Sequence, residues 1–191
     1  MDSTLSRPLR TPRLLLRAAA PEDADATWEY RRLEAVGEWL HEIPSDLEPY
    51  RVRFTEPDGL ASMIVAEHQG RIVGDFMLRV VDCWAQADTA LQDRPREAQV
   101  GWVLDPSWWG QGLATEGVRA LLEEGFTQLG LHRVTARCFL ANEASWRLME
   151  RVGMRREQHA VRDSLHRSRG WLDSVIYAIL ADEYPPTAGG R

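Results

Sequence analysis

Apolar residues in this chain of 191 residues follow two rhythms. Short runs dense in valine, isoleucine, leucine and aromatic residues occur at 13–17, 62–68, 71–81, about 97–104 and 132–140, and again near 154–162 and 171–180. These read as strands. Gln69-Gly70, between the second and third runs, is a hairpin turn. Val118, Leu121, Leu122, Gly125 and Leu129 recur at helical spacing and predict a helix over about 113–128 that ends at Gly130. Pro21-Glu-Asp-Ala opens another helix, to about Val36, with acidic residues in its first turn as the helix dipole prefers. A short helix is expected over 143–152, and 37–60 reads as a short helix with loops. The resulting order, β-α-(α)-β-β-β-α-β-α-β-β, is an α/β arrangement with no internal repeat. A single domain over 1–191 is expected, with flexible ends at 1–10 and 184–191 and a long loop at 82–96.

Composition narrows the class. Hydrophobic residues make up 44% of the chain, yet no apolar run approaches the ~18–20 residues that cross a bilayer, and no signal-peptide pattern opens the chain. A soluble cytoplasmic protein with no membrane partner is expected. Cys83 and Cys138 have neither disulfide-framework nor metal-ligand spacing, so no metal is expected, and Cys138 reads as a small core residue. The net charge of −6 argues against nucleic acid and favours a cationic acceptor such as an amine or a basic peptide end. All 23 basic residues are arginine, and Asn142 is the one asparagine in the sequence.

The stretch of most chemical interest runs from Gln99 to Glu116. An apolar strand pattern ends at Asp105-Pro106, the loop Ser107-Trp108-Trp109-Gly110-Gln111-Gly112 follows, and a helix then begins. Glycines let backbone approach a ligand closely, and the first helical turn carries free N–H groups and partial positive charge. Such a turn suits a phosphate, most readily a pyrophosphate. A P-loop is excluded because the chain has no lysine, and a dinucleotide fingerprint fails because Thr115 stands where a third glycine would be. Without further support a tight strand-to-helix turn would explain the glycines equally well.

Trp108-Trp109-Gly110-Gln111-Gly112-Leu113-Ala114-Thr115-Glu116 resembles the acetyl-CoA signature of the GCN5-related N-acetyltransferases (the GNAT superfamily), most closely its Rim-type branch, which acetylates the N-termini of ribosomal proteins. Asn142-Glu-Ala-Ser145, with Gly153-Met154 beyond it, is similar to the second family motif. Thr11-Pro-Arg-Leu-Leu-Leu-Arg17 and Val175–Leu180 also fit, so the resemblance covers roughly 11–183. It implies a mixed, mostly antiparallel sheet flanked by helices and splayed between its fourth and fifth strands, here 97–104 and 132–140. It also implies binding of acetyl-CoA. The N–H groups of Gly110, Gln111, Gly112, Leu113, Ala114 and Thr115 would hold the pyrophosphate, with Trp109 at the mouth of the loop. Backbone groups of Val103 and Leu104 would pair with the pantetheine arm, and a nearby N–H would polarise the thioester. Asn142 would bond the same arm, although it also suits a helix cap. Many relatives carry arginine or glutamine where this chain has Trp109, which offers no cation. Trp108 and Trp109 serve equally well as packing anchors.

The acid–base half is less marked. Relatives place a tyrosine seven residues after the motif asparagine to protonate the leaving thiolate. Met149 stands there and cannot donate, which leaves Ser145 as the candidate donor or, more blandly, as a local backbone partner. Gln99 occupies the place of a family glutamate base. Glu97, two residues earlier on the same strand face, is the candidate base through a water, or else a solvated edge glutamate. His132, His159 and His166 are further candidates with ordinary surface roles as alternatives. The implied reaction is direct attack by a primary amine in a ternary complex. The acceptor is a peptide N-terminus or a small amine such as a polyamine or aminoglycoside, chosen by residues 37–60 and 82–96. A non-catalytic CoA-binding module is the reading from another class, and family habit leaves room for a homodimer.

Overall fold

The computed structural model describes residues 5–86 and 96–184. It is an α/β fold with strands β1 (Leu9–Arg10), β2 (Leu15–Ala18), β3 (Met63–His68), β4 (Arg71–Asp82), β5 (Arg96–Leu104), β6 (Leu131–Phe139), β7 (Arg155–His166) and β8 (Gly170–Leu180). Their hydrogen-bonded order is β1-β2-β3-β4-β5-β6-β8-β7. The helices among the described residues are α1 (Ala24–Arg31), α2 (Glu34–Gly37), α3 (Leu47–Phe54), α4 (Pro57–Ser62), α5 (Leu113–Thr127) and α6 (Glu143–Arg151). No described helix is long and apolar enough to cross a membrane.

The chain packs as two compact units, Met1–Val80 with Gln99–Leu122, and Val81–Ala98 with Glu123–Arg191. In the first, β2, β3 and β4 pair antiparallel, and the β3–β4 turn is closed by Gln69 and Gly70 at φ 51° and 76°. Two successive left-handed residues are what a two-residue hairpin of native twist requires. Leu5, Leu9 and Leu14 are buried, and β1 pairs with β2. Residues 185–191, and 87–95 of the expected loop, lie outside the described residues.

The helix expected from Pro21 to Val36 is broken after Arg31. No glycine or proline marks the break. Instead Tyr30 Oη donates to Asp75 Oδ1 at 2.7 Å, and Arg31 Nε donates to the same oxygen at 2.9 Å. Tertiary partners thus override helical propensity at this point. Burial, with the Asp75 carboxylate alongside, pushes the Tyr30 hydroxyl well above the ordinary phenol range. Residues 47–54 form α3, whose Tyr50 and Phe54 pack with Ala24 of α1.

Two close approaches set the frame of the site. At Gly74 of β4, a Cβ would lie 2.5 Å from Val103 O and 3.0 Å from Leu104 Cα, so only glycine lets β4 and β5 lie this near. The helix α5 buries Val118, Leu121, Leu122 and Gly125 of the face that the spacing predicts, with Leu113 beside them, while Leu129 lies beyond its end and is half-buried. A Cβ at its Gly117 would meet Phe76 Cζ at 2.3 Å.

In the second unit β8 pairs antiparallel with both β6 and β7, and β7 is longer than expected because it carries a register shift between Ala160 and Ser164. There Arg162 adopts φ 48°, and its N–H donates to Asp173 Oδ1 at 3.0 Å. The first residues of β5 also belong to this unit, where Ala98 O accepts from Thr135 Oγ1 at 3.4 Å.

Gly117→Ala is expected to destabilise the fold by about 1–2 kcal/mol, the overpacking cost exceeding the gain in helix propensity. Adding Phe76→Leu should recover part of that loss. Urea midpoints of the two variants and wild type measure both effects.

Candidate active site

The strand β5 ends at Leu104, and the next residue, Asp105, accepts the Ser107 N–H on its Oδ1 at 2.8 Å and starts a single 3-10 turn, Pro106–Trp108. The Trp109 indole Nε1 donates to Leu104 O at 2.8 Å, and the Trp108 ring meets His68 edge-on at 5.0 Å. Both tryptophans therefore anchor the loop. Leu104 O keeps a second lone pair for another donor. Gly110 and Gly112 sit at φ 72° and 78°, values that need glycine in two places within three residues.

The consequence is a set of unused donors. Among the described residues no backbone acceptor takes the N–H groups of Gly110, Gln111, Gly112, Leu113, Ala114 or Thr115; the next amide, Glu116 N–H, donates to Gly112 O at 3.0 Å. These six amides lead into the N-terminus of a 15-residue helix, an arrangement matched to an anion of several oxygens. Gln111 turns its side chain back, Nε2 donating to Ser107 O at 3.2 Å.

Sequence reasoning missed what holds this loop. Glu116 Oε1 accepts from Thr11 Oγ1 at 2.5 Å and from the Arg13 N–H at 2.9 Å. Its Oε2 accepts from Arg13 Nε at 2.6 Å, and Arg13 Nη1 donates to Gln111 O at 2.8 Å. Thr11, Arg13 and Glu116 all stand in segments that fit the family, but nothing in their spacing says that they meet. Burial opposes ionisation of Glu116, but the hydrogen bonds from Thr11 and Arg13 outweigh it and hold the carboxyl below its usual range.

In the second unit Asn142 begins α6, and its Oδ1 accepts the Ser145 N–H at 3.3 Å. The capping role is therefore real, and it leaves the Asn142 amide group available to a ligand. Ser145 Oγ makes no hydrogen bond among the described residues. Met149 is 1% exposed, a core residue of α6. Burial pushes the Cys138 thiol up to about 11, so no thiolate stands ready there at neutral pH.

Glu97 lies 3.6 Å from Arg133 Nε, and Arg133 also pairs with Glu157, so the candidate base sits in an ion-pair network. In the first unit Gln99 accepts from Arg79. His159 Nε2 lies 2.6 Å from Asp173 Oδ2, and His166 is buried, its Nδ1 accepting the Ser168 N–H at 3.3 Å. His132 is exposed at the start of β6.

The depressed carboxyl of Glu116 gives a definite sign. A group whose folded pKa lies below its unfolded value stabilises the fold above the ordinary glutamate range and loses that contribution as pH falls through the folded value. Glu116→Gln should therefore be less stable than wild type at pH 7, with the gap narrowing as pH falls below about 4.5, the ordinary glutamate value. Urea titrations from pH 7 to pH 3 give the comparison.

The family model described as "Acetyltransferase (GNAT) domain" matches residues 13–155. The chain is 32% identical over 179 residues to "Uncharacterized N-acetyltransferase YnaD" of Bacillus subtilis (strain 168), covering 92% of this chain and 98% of that one. Among solved structures it resembles the acetyltransferase (GNAT family) from Bacillus anthracis, with TM-score 0.77, 28% identity, and coverage of 93% of this chain and 100% of that one. The fold alone is shared with RimL, the ribosomal L7/L12 alpha-N-protein acetyltransferase, in complex with coenzyme A, at TM-score 0.76, 18% identity, and coverage of 93% and 99%. It is shared likewise with a spermidine N-acetyltransferase SpeG chimera from Vibrio cholerae and hSSAT, at TM-score 0.73, 20% identity, and coverage of 90% and 98%. With this match over most of its length, the chain belongs to the GNAT family and is an acetyl-CoA-dependent N-acetyltransferase.

Proposed function

We propose that the protein acetylates the N-terminal amine of a protein or peptide by direct attack on acetyl-CoA in a ternary complex. The observation that carries the donor half is the run of unpaired amides from Gly110 to Thr115 at the head of α5. In this reading those N–H groups take the diphosphate, the Val103 and Leu104 backbone pairs with the pantetheine arm, and the Asn142 amide bonds the same arm. The ammonium gives up one proton through water towards Glu97 before it attacks. The acceptor nitrogen attacks the thioester carbon, and a tetrahedral oxyanion forms against a backbone N–H. As the C–S bond breaks, Ser145 Oγ donates a hydrogen bond to the departing sulfur, and the second nitrogen proton passes through water to the thiolate, leaving the amide and the CoA thiol. Positioning of amine and thioester supplies much of the rate, so neither side chain need be indispensable.

The peptide end is favoured by the Rim-type pattern in Trp108–Glu116; the net charge of −6 suits any cationic acceptor. The second reading, a polyamine or other small amine, draws on the same charge and on the fold shared with the spermidine N-acetyltransferase chimera.

Free-thiol release from acetyl-CoA, run against basic and neutral peptides, spermidine and aminoglycosides, tests the proposal. Release that requires a free peptide N-terminus supports it, release with spermidine alone moves the acceptor to the second reading, and CoA binding without turnover on any amine overturns it. With the best acceptor, Ser145→Ala should lower kcat about tenfold, the worth of one hydrogen bond to a charged sulfur, with the KM for acetyl-CoA little changed.

A further inference from the structure

The loop Trp109–Gly112 has no cation of its own, the chain has no lysine, and the Trp109 indole is spent on Leu104 O. A doubly charged diphosphate held only by amides would lack a counter-charge. We infer that Arg13, 96 residues upstream of Trp109 in the sequence (109 − 13), supplies it and is a direct ligand of the CoA diphosphate. The inference rests on the reading that this loop takes CoA.

The geometry fixes the guanidinium on two of its three sides. Nε is held by Glu116 Oε2 at 2.6 Å and Nη1 by Gln111 O at 2.8 Å, while the backbone N–H of Arg13 is held by Glu116 Oε1 at 2.9 Å. The third side is open: Nη2 makes no hydrogen bond among the described residues. It lies 3.6 Å from the point a Cβ would occupy on Gly112, the centre of the amide run, and the side chain is 42% exposed. The absence of a side chain at Gly112 leaves room for an oxygen between Nη2 and the loop amides. Arg13 is thus locked before any ligand arrives, so little side-chain entropy remains to be lost on binding. Both Glu116 oxygens are occupied by Thr11 and Arg13, which shields the anion from a bare carboxylate in the first turn of α5. Glu116 and Thr11 are positioning residues in this scheme, and of the three only Arg13 touches the ligand.

Calorimetric titration of the full chain tests this, with wild type, Arg13→Met, Arg13→Lys and Glu116→Gln each titrated with acetyl-CoA and with its 3′-dephospho analogue. S-acetylpantetheine, which lacks the diphosphate, is compared through its KM in thiol release. Arg13→Met is expected to raise the Kd for both nucleotides about tenfold or more, the loss of one charge-assisted bond. It should flatten the salt dependence of binding and leave S-acetylpantetheine unchanged. Arg13→Lys, which keeps the charge without the fork, should recover part of the affinity and carries the test if Arg13→Met does not fold. Glu116→Gln should weaken nucleotide binding less than Arg13→Met while retaining the wild-type salt dependence.

Equal losses with S-acetylpantetheine would make Arg13 a structural strut and overturn the inference. So would a loss seen only with the 3′-phosphorylated donor, or no loss at all. Failure of wild type to bind acetyl-CoA would instead remove the reading beneath it.

Discussion

Six adjacent amides that find no backbone acceptor among the described residues are the constraint around which the first unit is organised. An unpaired N–H is costly when buried and tolerable at the surface, so the loop must be exposed and yet rigid enough to keep its donors from turning inward. Rigidity comes from outside the loop. Trp109 is tied to Leu104, Gln111 to Ser107 and to Arg13, and α5 is pressed on the sheet by Leu113, Val118 and Leu121. Gly117 against Phe76 sets how close that helix lies. A ligand anion then completes a pattern already formed, and the protein need not reorganise to meet it.

The second unit is built on different terms. Asn142 does two jobs from one side chain, its oxygen capping α6 and its amide group remaining for a ligand. Where a phenol might have stood, Met149 fills the core instead. The carboxylates and histidines that could move a proton are mostly bound to partners: Glu97 to Arg133, His159 to Asp173, and His166 to its own turn. Chemistry in such a site leans on placement and electrostatics more than on a dedicated acid or base.

Local patterns in the chain were legible and long-range partnerships were not. The hairpin at Gln69-Gly70, the strand–loop–helix at Leu104–Leu113 and the buried face of α5 follow from turn chemistry and periodicity, which act within a few residues. β1 was missed because two residues give no period, although Leu9 and Leu14 are buried. The break after Arg31 depends on Asp75, over forty positions away, and the extra length of β7 on a left-handed Arg162 that no sequence rule marks. In the site, glycines and Asn142 could be placed by motif. The Arg13–Glu116 lock could not, since each partner lies in its own motif and only the folded sheet brings them together.

That lock joins positions 103 apart. Closing so long a loop is entropically expensive, so a contact of this range costs more to form than a local one. The Trp109–Gly112 loop thus takes part of its rigidity from a contact that local structure does not supply. The same linkage runs in reverse. On the proposed reading, a donor molecule seated on Gly110–Thr115 would also meet Arg13, and its binding would favour the folded state of the opening strands by mass action.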